Sequence, residues 1–241
     1  MRIAADLHCH TLASGHAYST AEEVIRAAAA AGLNAVAITD HGPNMPANLA
    51  NWYFENMRVF PRVAFGVEIF RGIEANIIDD AGTLDADADM IKSLNFIVAS
   101  CHTVTIAGPS AEYYTAACTG AMKNPRVNVI GHPDDGRMPV IYEELVRVAA
   151  ETNTLLELNN HSLSALAPRQ NAPANLREML KHCRRQGVPV VVSSDAHISF
   201  SVGRFDNSLA LIEEIGFPEE LVANTSLDKL KSLLRLKGWQ D

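Results

Sequence analysis

Apolar runs of strand length alternate with amphipathic helical stretches along the chain. The strand candidates are Ile3–Leu7, Ala35–Thr39, a run within Gly66–Glu74, Phe96–Ser100, Val127–Ile130, Thr154–Leu158 and Val188–Ser194. They are apolar with little alternation, as expected of strands buried on both faces. The stretches between them read as helices. Ser19-x-x-Glu22 has the form of a capping box, and the Ala-rich helix behind it stops at Gly32. Tyr142, Leu145, Val146 and Ala149 make one apolar stripe. Leu176, Met179, Leu180 and Cys183 make another at i, i+3, i+4, i+7, and Gly187 ends that helix. Strands alternating with helices in this way predict a parallel sheet with covered faces. A closed barrel and an open doubly wound sheet both satisfy the pattern.

The polar positions separate the two. A doubly wound sheet gathers its site at one switch point beside a Gly-rich phosphate loop. The chain contains neither G-x-G-x-x-G nor a Walker loop. Instead, candidate ligands follow nearly every strand: His8 and His10 at the first, His16 in the loop beyond, His41 after the second, Glu74 closing the third, His102 after the fourth, His132 after the fifth, and Asp195 and His197 after the seventh. That is the distribution of a barrel, whose site collects the C-terminal ends of many strands. No linker, repeat or low-complexity stretch divides residues 1–241, so one α/β domain is expected.

Two imidazoles on one side of a strand, as at His8 and His10, are a common start to a catalytic metal site. A single His after a strand is usually a solvated loop residue. Seven on one rim, with Glu74 and Asp195, would be a costly accumulation of polar groups without a ligand. Nine donors exceed the need of one ion and suit two or three, with Glu74 as the bridging carboxylate. Asp6 and Asp40, each next to a candidate ligand, read as acceptors for the second imidazole N–H, or in the case of Asp6 as a capping or barrel-floor group. Cys9, between two candidate ligands, should face away from them. His182, beside Arg184 and Arg185, reads as surface, and His161 as a substrate contact or plain loop residue.

Charge and cysteine usage narrow the partners. A formal net charge of −8 argues against a nucleic-acid surface. The four cysteines form no Cys-x-x-Cys pair, so a zinc knuckle is not expected, and their scatter fits a reducing compartment. No apolar run approaches the roughly 20 residues of a membrane span. The N-terminus lacks a signal-peptide pattern, and the expectation is a cytoplasmic protein without a membrane or nucleic-acid partner. A homo-oligomer is compatible with the sequence.

The motifs Asp6-Leu7-His8-Cys9-His10-Thr11, Thr39-Asp40-His41, Gly72-Ile73-Glu74, Cys101-His102, Gly131-His132-Pro133 and Ser194-Asp195-Ala196-His197 resemble those of the polymerase-and-histidinol-phosphatase (PHP) family. Arg71-Gly72-Ile73-Glu74-Ala75-Asn76 and Ile38-Thr39-Asp40-His41-Gly42-Pro43 are most similar to its stand-alone YcdX-type phosphatases. The resemblance implies a distorted (β/α)7 TIM-like barrel with three divalent ions, zinc first and manganese or iron also chemically suited. It implies one ion on His8, His10, Glu74 and Asp195, a second on Glu74, His102 and His132, and a third on His16, His41 and His197. It further implies hydrolysis of a small phosphomonoester, with Glu74, Asp195 and His197 in the reaction. Arg169 and Arg204, in loops after the sixth and seventh strands, are candidate phosphate contacts that otherwise read as ordinary surface arginines. The competing readings are a phosphodiesterase or exonuclease, an amidohydrolase-like enzyme, and a non-enzymatic metal-binding barrel. The acidic chain without a basic-aromatic groove weakens the nuclease reading. The absence of a Lys at Ser100-Cys101-His102 weakens the amidohydrolase reading, because that class bridges its metals with a modified Lys there.

Overall fold

The computed structural model of the chain describes residues 1–46, 49–165 and 167–240. Seven parallel strands run in the order β1 (Ala5–Cys9), β2 (Ala35–Ile38), β4 (Val67–Asn76), β5 (Phe96–Ser100), β6 (Val129–Ile130), β7 (Leu155–Asn159) and β8 (Val190–Ser193). An additional strand, β3 (Val63–Ala64), is antiparallel to β4 and was not foreseen. Its hairpin turns on Phe65 and Gly66, both with positive φ, as a two-residue type I′ turn requires. The helices α1 (Ala21–Ala30), α2 (Asn51–Glu55), α3 (Ala88–Ser93), α4 (Ala111–Met122), α5 (Tyr142–Thr152), α6 (Ala172–Gln186), α7 (Asp206–Ile215) and α8 (Leu227–Leu236) surround the sheet.

The sheet curls into a nearly closed barrel. At the C-terminal end, β1 and the segment after β8 meet at a Cys9–Ala196 bridge, with His10 N–H donating to Ala196 O at 2.8 Å. Nearer the N-terminal end, Asn224 fills the seam. Its Nδ2 donates to Ala5 O on β1 at 2.8 Å and to Val192 O on β8 at 2.7 Å, while its Oδ1 accepts from Val192 N–H. One side chain thus replaces ladder bonds that the two strands do not make with each other.

Two apolar layers follow from the alternation of side chains along each strand. Inward-facing Leu7, Phe70, Phe96, Val98, Val129, Leu155 and Val191 fill the lumen, and Leu230, Leu234 and Trp239 close it from below. Outward-facing residues pack against the helices, including both stripes read from the sequence: Leu145, Val146 and Ala149 on α5, and Leu176, Met179, Leu180 and Cys183 on α6. Gly187 ends α6 in the left-handed conformation, as expected. The capping box lies one residue later than its sequence reading. Thr20 caps α1 reciprocally with Glu23, while Ser19 Oγ accepts from Ser199 N–H, an attachment to a distant loop.

Candidate metal centre

The first strand aims its two histidines by an irregularity. Register slips between Asp6 and Cys9, and a local bulge re-aims the side chains that follow. Leu7 therefore belongs to the lumen core while His8 and His10 both face the centre of the rim. Cys9 turns outward into the helix layer, as expected. Asp6 holds no imidazole: its two oxygens accept from Ser194 N–H and Gly203 N–H, tying β1 to the loop after β8.

All nine candidate ligands converge. Glu74 lies at the middle, fully buried. Its Oε1 faces His132 Nε2 at 2.8 Å, His102 Nε2 at 3.3 Å and His8 Nε2 at 3.4 Å. Its Oε2 faces His41 Nδ1 at 2.6 Å and His10 Nε2 at 3.5 Å. Asp195 Oδ1 lies 3.3 Å from His10 Nε2 and 3.8 Å from His8 Nε2. His16 Nε2 lies 3.0 Å from His197 Nε2 and 3.3 Å from His41 Nε2. His132 and Asp195 hold positive φ, a conformation that costs energy in non-glycine residues and clusters at functional sites.

The other ring nitrogens decide what these contacts are. His8 Nδ1 meets Glu157 Oε1 at 2.7 Å, His102 Nδ1 meets Asn76 Oδ1 at 2.7 Å, His16 Nδ1 meets Ser14 O, and His197 Nδ1 meets Asp195 O. Each partner is an acceptor, so each Nδ1 carries a proton, and in the neutral ring each Nε2 presents a lone pair. His10 follows the same logic one step removed. Ser14 Oγ donates to Asp40 Oδ1 at 2.6 Å and so accepts from His10 Nδ1–H. Five Nε2 lone pairs thus point at carboxylate oxygens or at one another. Among the described residues, His8 Nε2, His10 Nε2, His41 Nδ1 and Glu74 Oε2 are buried without a hydrogen-bond partner. Such groups are costly unless a cation or extra protons satisfy them. The donor set therefore fits divalent metal ions, with imidazole tautomers fixed by outer partners as in known metal sites.

Electrostatics sort the same residues. Burial opposes ionisation of Glu74, but His8, His102 and His41 outweigh it and hold the carboxyl well below its usual range. Asp195 is likewise held low against burial by His8 and Arg169. Burial lowers His10, reinforced by His197 and His41, and it lowers His132 to about 4 with help from Arg169. Burial also acts downward on His8, yet Glu157, Glu74 and Asp195 raise it well above 6.5.

Several side chains differ from their sequence reading. Arg169 is not a surface residue: its side chain is 12% exposed. Its Nη2 donates to Asp195 Oδ2 at 2.8 Å, and its Nη1 donates to Ser162 Oγ and Asn159 Oδ1. Arg204, 69% exposed, makes a long 3.9 Å pair with Asp206. It nevertheless lines a cavity of about 360 Å³ with Tyr18, His161 and Ile198. That cavity shares Asp195, His161 and His197 with a second, of about 290 Å³, lined by His41, Glu74, His102, His132 and Arg169. Asp40 supports His10 only through Ser14, and also accepts from Thr11 and the Tyr53 hydroxyl. Glu157 was missed. It accepts from His8 Nδ1–H, His132 N–H, Asn159 Nδ2 and the Ser193 hydroxyl. The available signal was a carboxylate inside the apolar run Leu155-Leu156-Glu157-Leu158, where a charge needs a buried partner.

A barrel with seven imidazoles and two carboxylates gathered at its strand C-terminal ends defines the class of α/β barrels that carry a histidine–carboxylate centre. The model of the PHP domain matches residues 6–161. A relative from Acetivibrio thermocellus named as a probable phosphatase is 44% identical over 98% of this chain and 97% of its own length. Another probable phosphatase, from Caldicellulosiruptor bescii, is 41% identical over 99% of this chain and 98% of its own. The chain belongs to the PHP family. Its fold is also that of histidinol phosphate phosphatase from Lactococcus lactis, solved with zinc, L-histidinol and phosphate. The two share a TM-score of 0.60 and 18% identity, over 90% of this chain and 95% of the other.

Proposed function

We propose that residues 1–241 act as one metal-dependent phosphatase that hydrolyses a small phosphomonoester at a site for three divalent ions. The observation that carries this reading is the set of inward Nε2 lone pairs gathered around Glu74 and Asp195. The ligand sets are His8, His10, Glu74 and Asp195; Glu74, His102 and His132; and His16, His41 and His197. The split of Glu74, with one oxygen toward His8, His102 and His132 and the other toward His10 and His41, supports a bridging role. Zinc is the first metal to test, since the Lactococcus enzyme was solved with it. Divalent ions here would supply positive charge to phosphoryl oxygens and bring the pKa of water toward neutrality.

The protein's own groups complete the site. Arg169, locked by Asp195, Asn159 and Ser162, places a fixed guanidinium at the edge of the cluster. A rigid fork of that kind suits phosphoryl oxygens. Asp195 and His197 line both cavities, so the leaving group departs past them into the space bounded by Tyr18, His161 and Arg204. All four cysteines are free thiols, which supports a reducing cytoplasmic setting. No helix among the described residues is long and apolar enough to cross a membrane.

The test combines metal analysis with a substrate panel of p-nitrophenyl phosphate, a phosphodiester and an amide. Glu74→Gln should lose phosphomonoesterase activity at least 100-fold together with bound metal. Unimpaired turnover by a metal-analysed Glu74→Gln sample defeats the mechanism. Faster turnover of the diester or the amide by the parent chain replaces the substrate class.

A further inference from the structure

A second cavity, of about 160 Å³, lies at the opposite end of the barrel, where β5 and β6 begin. Asn95 and Asn128, which line it, immediately precede those strands. Glu74 and the histidines gather at the other ends of the strands, so the length of β5, about 17 Å at strand rise, separates the two places.

The lining is one-signed. Arg71, Lys92 and Arg126 contribute three cations, and no Asp or Glu is among the described lining residues. In a chain of net charge −8 that is a local inversion. Arg126 spends one guanidinium nitrogen on the neutral carbonyls of Ile91 and Leu94, which hold the group in place without cancelling its charge. Lys92, 74% exposed, pairs with Asp89 at 2.9 Å. The polar neutral groups are donors too. The carbonyl oxygens of Asn95 and Asn128 are already taken by Arg71 N–H and Ile97 N–H, leaving their amide NH2 groups over. Trp239, 7% exposed, lines the same cavity, and its Nε1–H is buried without an acceptor. A buried indole N–H normally finds one.

From this we infer that the cavity is an anion-binding site, remote from the metal centre, that takes a tetrahedral oxyanion: inorganic phosphate or the phosphate group of a small metabolite. Two guanidinium groups, an ammonium and two amide NH2 groups lining one cavity are donors of the kind that recognise phosphoryl oxygens. The volume is well under the roughly 300–1,000 Å³ of pockets that enclose a drug-sized ligand. The site therefore holds the anionic group and leaves any organic remainder outside. This inference does not rest on the phosphatase reading.

The chain carries its own reporter. It has two tryptophans, and the other, Trp52, is 69% exposed on α2. In a Trp52→Phe background, Trp239 emission is followed while inorganic phosphate, and separately a phosphonate that cannot be hydrolysed, is added at constant ionic strength. A saturable change is expected with one or both, and the stronger binder tells whether the free ion or a substituted phosphate is preferred. The double variant Arg71→Gln, Lys92→Gln should weaken that binding at least ten-fold while p-nitrophenyl phosphate turnover in the absence of added anion is unchanged. Absence of saturation at 10 mM of either anion (a range of order set by ordinary weak binding) overturns the site. So does a saturable change that the double variant leaves intact, because the signal then comes from elsewhere.

Discussion

Replacing Glu157 by Gln keeps the volume of the side chain and removes its charge. The carboxylate receives four donors: His8 Nδ1–H at 2.7 Å and the Ser193 hydroxyl on one oxygen, His132 N–H at 2.6 Å and Asn159 Nδ2 at 3.1 Å on the other. An amide must turn its NH2 toward one of these pairs. If it faces His132 N–H, a buried backbone donor loses its acceptor, at a cost of about 1–3 kcal/mol. If it faces His8, the ring must move its proton to Nε2, which removes the lone pair that points at Glu74. Loss of such outer partners typically weakens metal binding about 10–100-fold, or roughly 1.4–2.7 kcal/mol. The assay is metal content after equilibration in chelator-buffered zinc, alongside kcat and KM with p-nitrophenyl phosphate. Activity should return when free zinc is raised by the same factor. Zinc affinity within two-fold of the parent chain, in a sample where His8→Ala does lower it, would refute the role given to Glu157.

Other outcomes follow from the same geometry. Asn224→Ala removes three hydrogen bonds across the barrel seam and should cost about 3 kcal/mol or more in denaturant unfolding. Gly82→Ala combines a backbone at φ +83° with a new methyl 2.1 Å from Ala121 N; a loss of about 3 kcal/mol is expected by the same measurement. Burial lowers the Lys237 amine from 10.5 to about 8. The unfolded chain thus holds more protons in that window, and unfolding free energy should rise between pH 8 and 10.5 from this group. A Lys237→Met variant should lack that rise when unfolding is followed against pH. Stripping metal with a chelator should abolish turnover and lower Tm by roughly 5–10 °C relative to protein at a hundred-fold excess of metal over Kd.

The fold and the convergence of the nine candidate side chains were legible because each rested on a local signal. A His after an apolar run needs only the strand's direction to be placed on the rim, and the strands of a β/α barrel share one direction. What escaped depended on partners far along the chain. Ser19-x-x-Glu22 and Thr20-x-x-Glu23 are overlapping frames of one motif. The choice between them is made by Ser199, 180 residues away. Arg169 read as surface because its loop says nothing of Asp195, Asn159 and Ser162, whose positions come from two different strands. Sequence adjacency offered Asp6 and Asp40 as imidazole acceptors; neither touches an imidazole, and for Asp6 the alternative of a capping group is the one that fits. Asp6 is spent on backbone N–H groups, and Asp40 acts through Ser14. The β3 hairpin escaped because its strand is only two residues long.

The Asn224 seam bears on the order in which the molecule can be completed. Ala5 and Asn224 are 219 positions apart, and contacts of such separation form late and slowly. During synthesis every candidate ligand, up to His197, emerges before Asn224, which completes the seam between β1 and β8. The strand bearing His8 and His10 takes its register from β2 early, while its other edge waits for the residues that follow β7. The seam is thus the last part of the barrel to close, and a lesion at position 224 would leave all nine candidate ligands in the chain while loosening the rim that gathers them.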